Sequence, residues 1–323
     1  MLDKPIFILG SFVLACSAKV GRFPWPGESM AAERVTIEPG GKGLNQAIMA
    51  RRLGTMVDGL LAVGNDLAAS FAPTALARAD LPEAMLVRLD GPTGSGVAFI
   101  DAAGETSLAI APGANLALSE VHIREKASAI AAASLVAAQF EIADAPIREA
   151  FALAHRAGVP TLLNPSPFRP VPEDILSSTS VLIVNETEAR SLAATFDGPD
   201  ADIATPERFI AELGPAILKR GPRLVVLTRG AAGAIAIAAD EEPVVQASFP
   251  VATVDALGAG DAFAATLGVR LAEGRPLTEA LRHAAAAGAL TTTRHGVFDA
   301  LPRPTEIAEL IGILARENAP QIA

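Results

Sequence analysis

The sequence predicts an α/β fold, a three-layer αβα sandwich with a mostly parallel sheet and a small β-sheet lid. Short, continuous apolar runs recur along the chain with amphipathic helical stretches between them, the pattern of parallel strands covered on both faces. Two stretches, 11–40 and 88–112, break that rhythm with alternating, turn-punctuated segments of the antiparallel kind.

The first apolar run, 6–9, lies in MLDKPIFILGSFVLAC. This opening has some likeness to a secretory leader, but Asp3 sits among its first residues and no small-x-small cleavage site follows. It reads as a first strand. Runs at 59–63, 135–138, 161–163, 181–184, 224–227 and 234–238 supply the other strands, and 45–53, 146–157 and 206–218 are amphipathic helices. GSGVAFIDAAGETSLAIAP reads as a hairpin of the lid, turning at 101–104. Beyond Pro302, the residues Ile307, Leu310, Ile311 and Leu314 mark one amphipathic helix packed on the surface. With 323 residues and half of them hydrophobic, the chain can bury one large core. Residues 1–323 are read as one domain, its lid drawn from about 11–40 and 88–112.

Composition narrows the function. The run nearest to a membrane span, 129–140, falls short of the ~18 residues required and contains Ser134 and Gln139, so no membrane partner is expected. A single cysteine, Cys16, excludes an internal disulfide, and no Cys/His cluster has zinc spacing, which together favour a cytoplasmic setting. A net charge of −10 would repel a polyanion, so no nucleic-acid partner is expected. A small phosphorylated ligand in one local pocket remains compatible.

Four polar, glycine-containing segments stand out. In VDALGAGDAF, the glycines precede a run with Phe263, Leu267 and Leu271 four apart, which stops at Gly274. Gly258, Ala259 and Gly260 therefore open a helix, where free N–H groups and the dipole favour an anion. Asp261 is then either a cap or a base able to accept a hydroxyl proton. In Pro39-Gly40-Gly41-Lys42-Gly43-Leu44-Asn45-Gln46, Lys42 lacks the Ser or Thr of a Walker loop. Gly41, Lys42 and Asn45 suit a ligand lying close to backbone, although a lone GGKG is as readily a plain turn. Asn185-Glu186-Thr187-Glu188 follows an apolar strand, on the ligand-binding edge of such a sheet. Asn185 and Glu188 can orient Mg2+ through water or form a capping box. Thr228-Arg229-Gly230-Ala231-Ala232-Gly233 follows another strand and suits a nucleotide's phosphates or a tight turn. His283 lies on an alanine-rich helix, packed, exposed or stacked on a base.

Taken in order, these segments resemble the ribokinase-like family of carbohydrate kinases (the phosphofructokinase B family), most of all its ribokinase branch. The resemblance spans nearly the whole chain, through Gly10-Ser11, Pro24-Trp25-Pro26-Gly27-Glu28, GGKGLNQA, Gly113-Ala114-Asn115, Asn164-Pro165, NETEA, DALGAGD, HAAAAGA and Arg294-His295-Gly296. It implies the ribokinase-like fold and ATP-dependent transfer of the γ-phosphate to a sugar hydroxyl. Asp261 would be the general base, with Gly258, Ala259 and Gly260 as the anion hole. The resemblance assigns Gly41, Lys42, Asn45 and Glu141, with Asp261, to the sugar, and Asn185, Thr228, Gly230, Gly233 and His283 to ATP. It assigns Glu188 to Mg2+ through water, and Asp255, Leu257 and Gly296 to a monovalent cation such as K+. Lids of the family often pair between subunits, which implies a homodimer.

Some letters depart from the family. Its first strand leads into Gly-Ser-x-Asn-x-Asp, whose Asn and Asp bond the sugar, whereas here Val13 and Ala15 stand in those places. Unpaired buried polar groups are costly, so a site lacking both partners argues against ribose in the usual pose. Ala256 replaces a usual Thr, and Ala69 stands where Gly64-Asn65-Asp66 leads one to expect a glycine. The expectation is a sugar kinase whose substrate is other than, or looser than, ribose. An adenosine- or pseudouridine-type nucleoside kinase is the alternative, with Phe12-Val13-Leu14-Ala15 as a wall for the base. A non-catalytic sugar- or nucleotide-binding protein is a third reading, disfavoured by a carboxylate at the helix mouth.

Overall fold

A computed structural model describes residues 2–103, 105–196 and 203–317. Nine strands form the central sheet: β1 (Ile6–Ser11), β4 (Val57–Val63), β5 (Leu86–Arg88), β8 (Leu135–Gln139), β9 (Thr161–Asn164), β10 (Val181–Asn185), β11 (Leu224–Thr228), β12 (Ala234–Ala238) and β13 (Val244–Gln246). Their spatial order is β13-β12-β11-β10-β9-β8-β1-β4-β5. Pairing is parallel from β5 through to β11, and antiparallel where β12 joins β11 and β13 joins β12. Only residues 229–233 connect β11 to β12, too few for the crossover that a parallel partner requires.

Alternation along β1 shows why the sheet is sandwiched. Ile6 and Ile8 enter one core with the helices Lys42–Arg52, Ala259–Ala272 and Leu277–Thr291. Phe7 and Leu9 enter the other, against the helix Asp144–Arg156 and its neighbours. Each face of a strand thus meets its own helical layer, and the strands read as unbroken apolar runs. The stretch 129–140 is, as expected, a helix end running into β8. No described helix is long and apolar enough to cross a membrane.

A second sheet of four strands stands at the carboxyl end of β1. It contains β2 (Val13–Lys19), β3 (Arg34–Gly40), β6 (Ser95–Ile100) and β7 (Thr106–Ala111), in the order β3-β2-β6-β7. The expected bounds were slightly wide, because Ser11 ends β1 and Arg88 ends β5 in the central sheet. At the hairpin tip, Asp101 accepts from the N–H groups of Ala103 and Glu105, both at 2.9 Å. Gly104, part of the expected turn, lies outside the described residues. The last helix, Pro304–Glu317, buries Ile307. The side chain of Leu314, expected on the same face, is also outside the described set.

The helix expected at 45–53 begins three residues earlier, at Lys42. Gly43 explains the shift: a Cβ there would lie 2.4 Å from the Ser11 nitrogen and 2.6 Å from Gly10 Cα. Helix and strand thus touch backbone to backbone. Gly41, with φ of 99°, supplies the turn into that contact. Because the obstruction is main chain on both sides, Gly43→Ala should cost about 1–3 kcal/mol of stability, the range for overpacking. Thermal melting of the purified variant checks this, and an unchanged Tm would remove the contact from the account.

Candidate functional site

The Gly10–Gly43 contact sets Lys42 and Asn45 beside the end of β1. The Ser11 hydroxyl donates to Glu141 Oε2, and the Lys42 N–H donates to the same oxygen at 2.9 Å. Asn45 Nδ2 donates to Asp261 Oδ2 at 2.8 Å, and Lys42 Nζ lies 4.0 Å from Asp261 Oδ1. Gly41, Lys42, Asn45, Glu141 and Asp261, far apart in sequence, therefore form one cluster. Asn45 and Asp261 are about 5% exposed or less, so this is an interior constellation. Asp261 Oδ1 and Asn45 Oδ1 are buried without a hydrogen-bond partner among the described residues. Buried polar atoms are normally paired, so these two acceptors fit a ligand that donates, such as a sugar hydroxyl.

Burial pushes the Asp261 carboxyl above its ordinary range, with the Lys42 charge and the Asn45 amide partly offsetting the effect. For Lys42, burial works against the charge but is outweighed by Asp261, Glu141 and Glu188, so its affinity for a proton is raised. Glu188 belongs to the same electrostatic group, and burial raises it too.

Asp261 sits in the first turn of the helix Ala259–Ala272, after Gly258 in a left-handed conformation with φ of 76°. A Cβ on Gly258 would strike the Val297 side chain, 2.6 Å away, whereas one on Gly260 would meet nothing within 4 Å. Gly258 thus answers to packing and backbone, while Gly260 keeps a space open. That space is a cavity of about 830 Å³, whose lining includes Thr228, Gly230, Gly233, Ala256, Gly260 and Phe263. The glycine turn stands between this cavity and the Asp261 cluster; within it the Ala259 N–H donates to the Ala256 carbonyl at 3.3 Å.

Two sequence expectations are refined here. Asn185 and Glu188 form a full capping box, Asn185 N–H to Glu188 Oε2 at 2.9 Å and Glu188 N–H to Asn185 Oδ1 at 2.8 Å. His283 is not in the cavity lining, and its Nδ1 is 2.9 Å from the Glu279 carbonyl one turn back. The cavity wall on that helix is Ala285, Gly288 and Ala289, which share a face that position 283 does not. Sequence reasoning had missed these residues, together with Ser248, Phe249 and Thr253, because small and apolar side chains carry no chemical signature. Ser11 was also missed as a partner of Glu141.

Asp255 is buried, accepting from Leu257 N–H at 3.0 Å and Gly296 N–H at 3.1 Å. Asp255, Leu257 and Gly296 are therefore one hydrogen-bonded unit beside the glycine turn. Glu38, on β3, accepts from Val297 N–H at 3.3 Å in the same loop. Burial raises its carboxyl affinity for a proton, with Asp299 and Asp255 adding to the effect and the Val297 bond opposing it. Ala69 takes no positive φ, so nothing in its backbone demands the glycine expected there. Asn115 bridges the main chain at Phe12 and Pro112, and Asn164 bonds the Ile183 carbonyl at 3.1 Å, so both of these motif residues hold backbone.

Residues 3–304 match the pfkB family carbohydrate kinase. The chain belongs to this family. This pfkB-family kinase is 31% identical to ribokinase of Bacillus subtilis over 313 residues, 95% of this chain and 99% of that one. It is 29% identical to the bifunctional ribokinase/ribose-5-phosphate isomerase A of Fructilactobacillus sanfranciscensis, spanning 56% of that longer protein and 95% of itself. The structure of Arabidopsis thaliana ribokinase complexed with ribose and ATP superposes with a TM-score of 0.86 at 28% identity, covering 96% of this chain and 99% of that one.

The raised proton affinity of Asp261 has a consequence for stability. A carboxyl with a raised folded pKa contributes stability below its unfolded pKa of about 3.9 and loses it as pH climbs through the folded value. Asp261→Asn should therefore gain in Tm relative to the parent kinase as pH rises from 4 to 8. A Tm difference that stays flat over that range would contradict the assigned burial.

Proposed function

We propose that this carbohydrate kinase transfers the γ-phosphate of ATP to a hydroxyl of a sugar other than standard ribose. The carrying observation is the orphaned Asp261 oxygen on one side of the glycine turn, with the 830 Å³ cavity on the other. The sugar hydroxyl would sit at Asp261, which accepts its proton as the oxygen attacks the phosphorus. Asn45 and Lys42 orient that carboxylate, and Gly41 and Glu141 complete the sugar side. The N–H groups of Gly258, Ala259 and Gly260 would stabilise charge on the transferring phosphoryl, so catalysis is mainly positioning and electrostatics.

The cavity suits ATP, with Thr228, Gly230 and Gly233 in its lining. Among the described residues no group of three His, Cys, Asp or Glu side chains could hold a metal, so Mg2+ would draw most ligands from phosphate and water. Glu188 fits a water-mediated contact, since one of its oxygens is already held by the cap; the ion when bound neutralises phosphate charge. A K+ ion beside the turn would be held by the remaining lone pairs of Asp255 and by carbonyl oxygens near Leu257 and Gly296, whose N–H groups already bond that carboxylate. Exposed Val35, Ile37 and Val97 on the outer side of the small sheet support its pairing in a homodimer, with the inner side acting as a lid. Unpaired Cys16 supports a cytoplasmic setting.

The nucleoside alternative rested on an apolar wall at 12–15. Phe12 is instead fully buried in the core and Leu14 alternates to the opposite side of β2 from Val13 and Ala15, so only two small side chains remain for it. A sugar is the better fit.

The test is ADP release across pentoses, hexoses, keto-sugar acids and nucleosides. Turnover is expected with a sugar, and the acid limb of its kcat/KM should lie above the ordinary Asp value of about 3.9, because the base must lose a tightly held proton. Turnover confined to nucleosides, or absent throughout, would contradict the reading.

A further inference from the structure

We infer that Glu38 is a specificity-determining residue, a lid-borne carboxylate that reads the far end of the substrate and favours neutral or amino sugars over sugar acids. The inference rests on the sugar-kinase reading and names the substrate class of that site.

Register places Glu38. In β2 and β3, Val13 pairs with Gly40, Ala15 with Glu38 and Ser17 with Thr36, so these share one side of the small sheet. The neighbouring strands add Gly96 and Ala98, then Ile110 and Leu108, to that side. It is the side that faces the main body: Glu38 meets Val297 and Gly296, and Val297 in turn packs at Gly258. Gly40, two positions along β3, is within 4.0 Å of Asn45 Oδ1 when a Cβ is placed on it. The strand carrying Glu38 therefore runs directly out from the Asn45–Asp261 cluster.

Chemistry sets Glu38 apart from its neighbours. Val13, Ala15, Gly96, Ala98, Leu108 and Ile110 offer no polar side-chain atom, and Ser17 and Thr36 bond each other at 2.8 Å. Glu38 is the one carboxylate among the strand residues of this side. It is half-buried, and its side chain accepts one long bond from Val297 N–H, with no ion pair among the described residues. An ionised carboxylate accepts several hydrogen bonds and donates none. Such a group welcomes hydroxyls or an ammonium and repels a second carboxylate. Asp261 and Glu141 are also acidic, and Lys42 is already beside Asp261; the other cations of this side, Arg34 and Lys19, face each other at the far end of the strands, four residues along from Glu38 and Ala15, so the groups nearest the cluster disfavour a sugar acid.

The experiment compares the parent kinase with Glu38→Gln and Glu38→Ala on three probes: neutral pentoses and hexoses, a 2-amino-2-deoxy hexose, and an aldonic acid. The parent is expected to favour the first two. Glu38→Gln, which keeps the shape and adds a donor, should raise KM for the best neutral or amino sugar about tenfold or more. It should narrow the preference over the aldonic acid by a similar factor and leave KM for ATP unchanged. An unchanged preference, or a uniform fall in kcat on every probe, overturns the inference, since the second marks Glu38 as a mere strut for the 296–297 loop. A parent that neither turns over nor binds any sugar by calorimetry overturns the kinase reading and the inference together. A parent active on sugars with Glu38→Gln unaltered overturns the inference alone.

Discussion

A carboxylate buried at the mouth of a helix is the constraint on which this molecule turns. Asp261 is almost wholly removed from water, and an isolated charge there would be neutralised rather than tolerated. Asn45 and Lys42 hold it, and both depend on a helix that touches β1 backbone to backbone through Gly43 and Gly10. The helix layer, the central sheet and the glycine turn at 258–260 are thus arranged around one acidic group. Its neighbourhood leaves one oxygen without a hydrogen-bond partner among the described residues, in a protein family that transfers phosphate to hydroxyls.

The same turn divides the site into two environments. On the Asp261 side the groups are polar, charged and specific. On the cavity side they are mostly small or apolar, with space created by Gly260, Gly288 and a run of alanines. A reaction that must bring together a hydroxyl and a phosphate while keeping water from both benefits from such a partition. The small sheet stands over the polar side. Glu38 is the one carboxylate among the strand residues of its inner face, and it links that face to the loop holding Asp255 and packing against Gly258.

Much of this was legible in the sequence because glycine and charge leave strong marks. Apolar runs located the strands, GAGD located the helix mouth, and GGKGLNQ located the side chains that meet Asp261. Glycine spacing did not reveal that Gly43 packs on Gly10, because that is a long-range contact and fixes the helix start three residues earlier than periodicity suggested. His283 drew attention as a titratable side chain, yet the cavity is lined by alanines two and six positions on, chosen by helix phase. Glu38 was invisible for a related reason: its meaning comes from lying opposite Ala15 across a strand pair, and no local pattern records that.

The central claim is that Asp261 acts on the substrate proton and not on ATP binding. It is tested most directly by Asp261→Asn, with ATP affinity measured by calorimetry alongside ADP release with the best sugar. The account predicts turnover lower by about 10²–10⁴-fold, the range for loss of a general base, with ATP affinity within a few-fold of the parent. Turnover like the parent's, or a matching collapse of ATP binding, would contradict it.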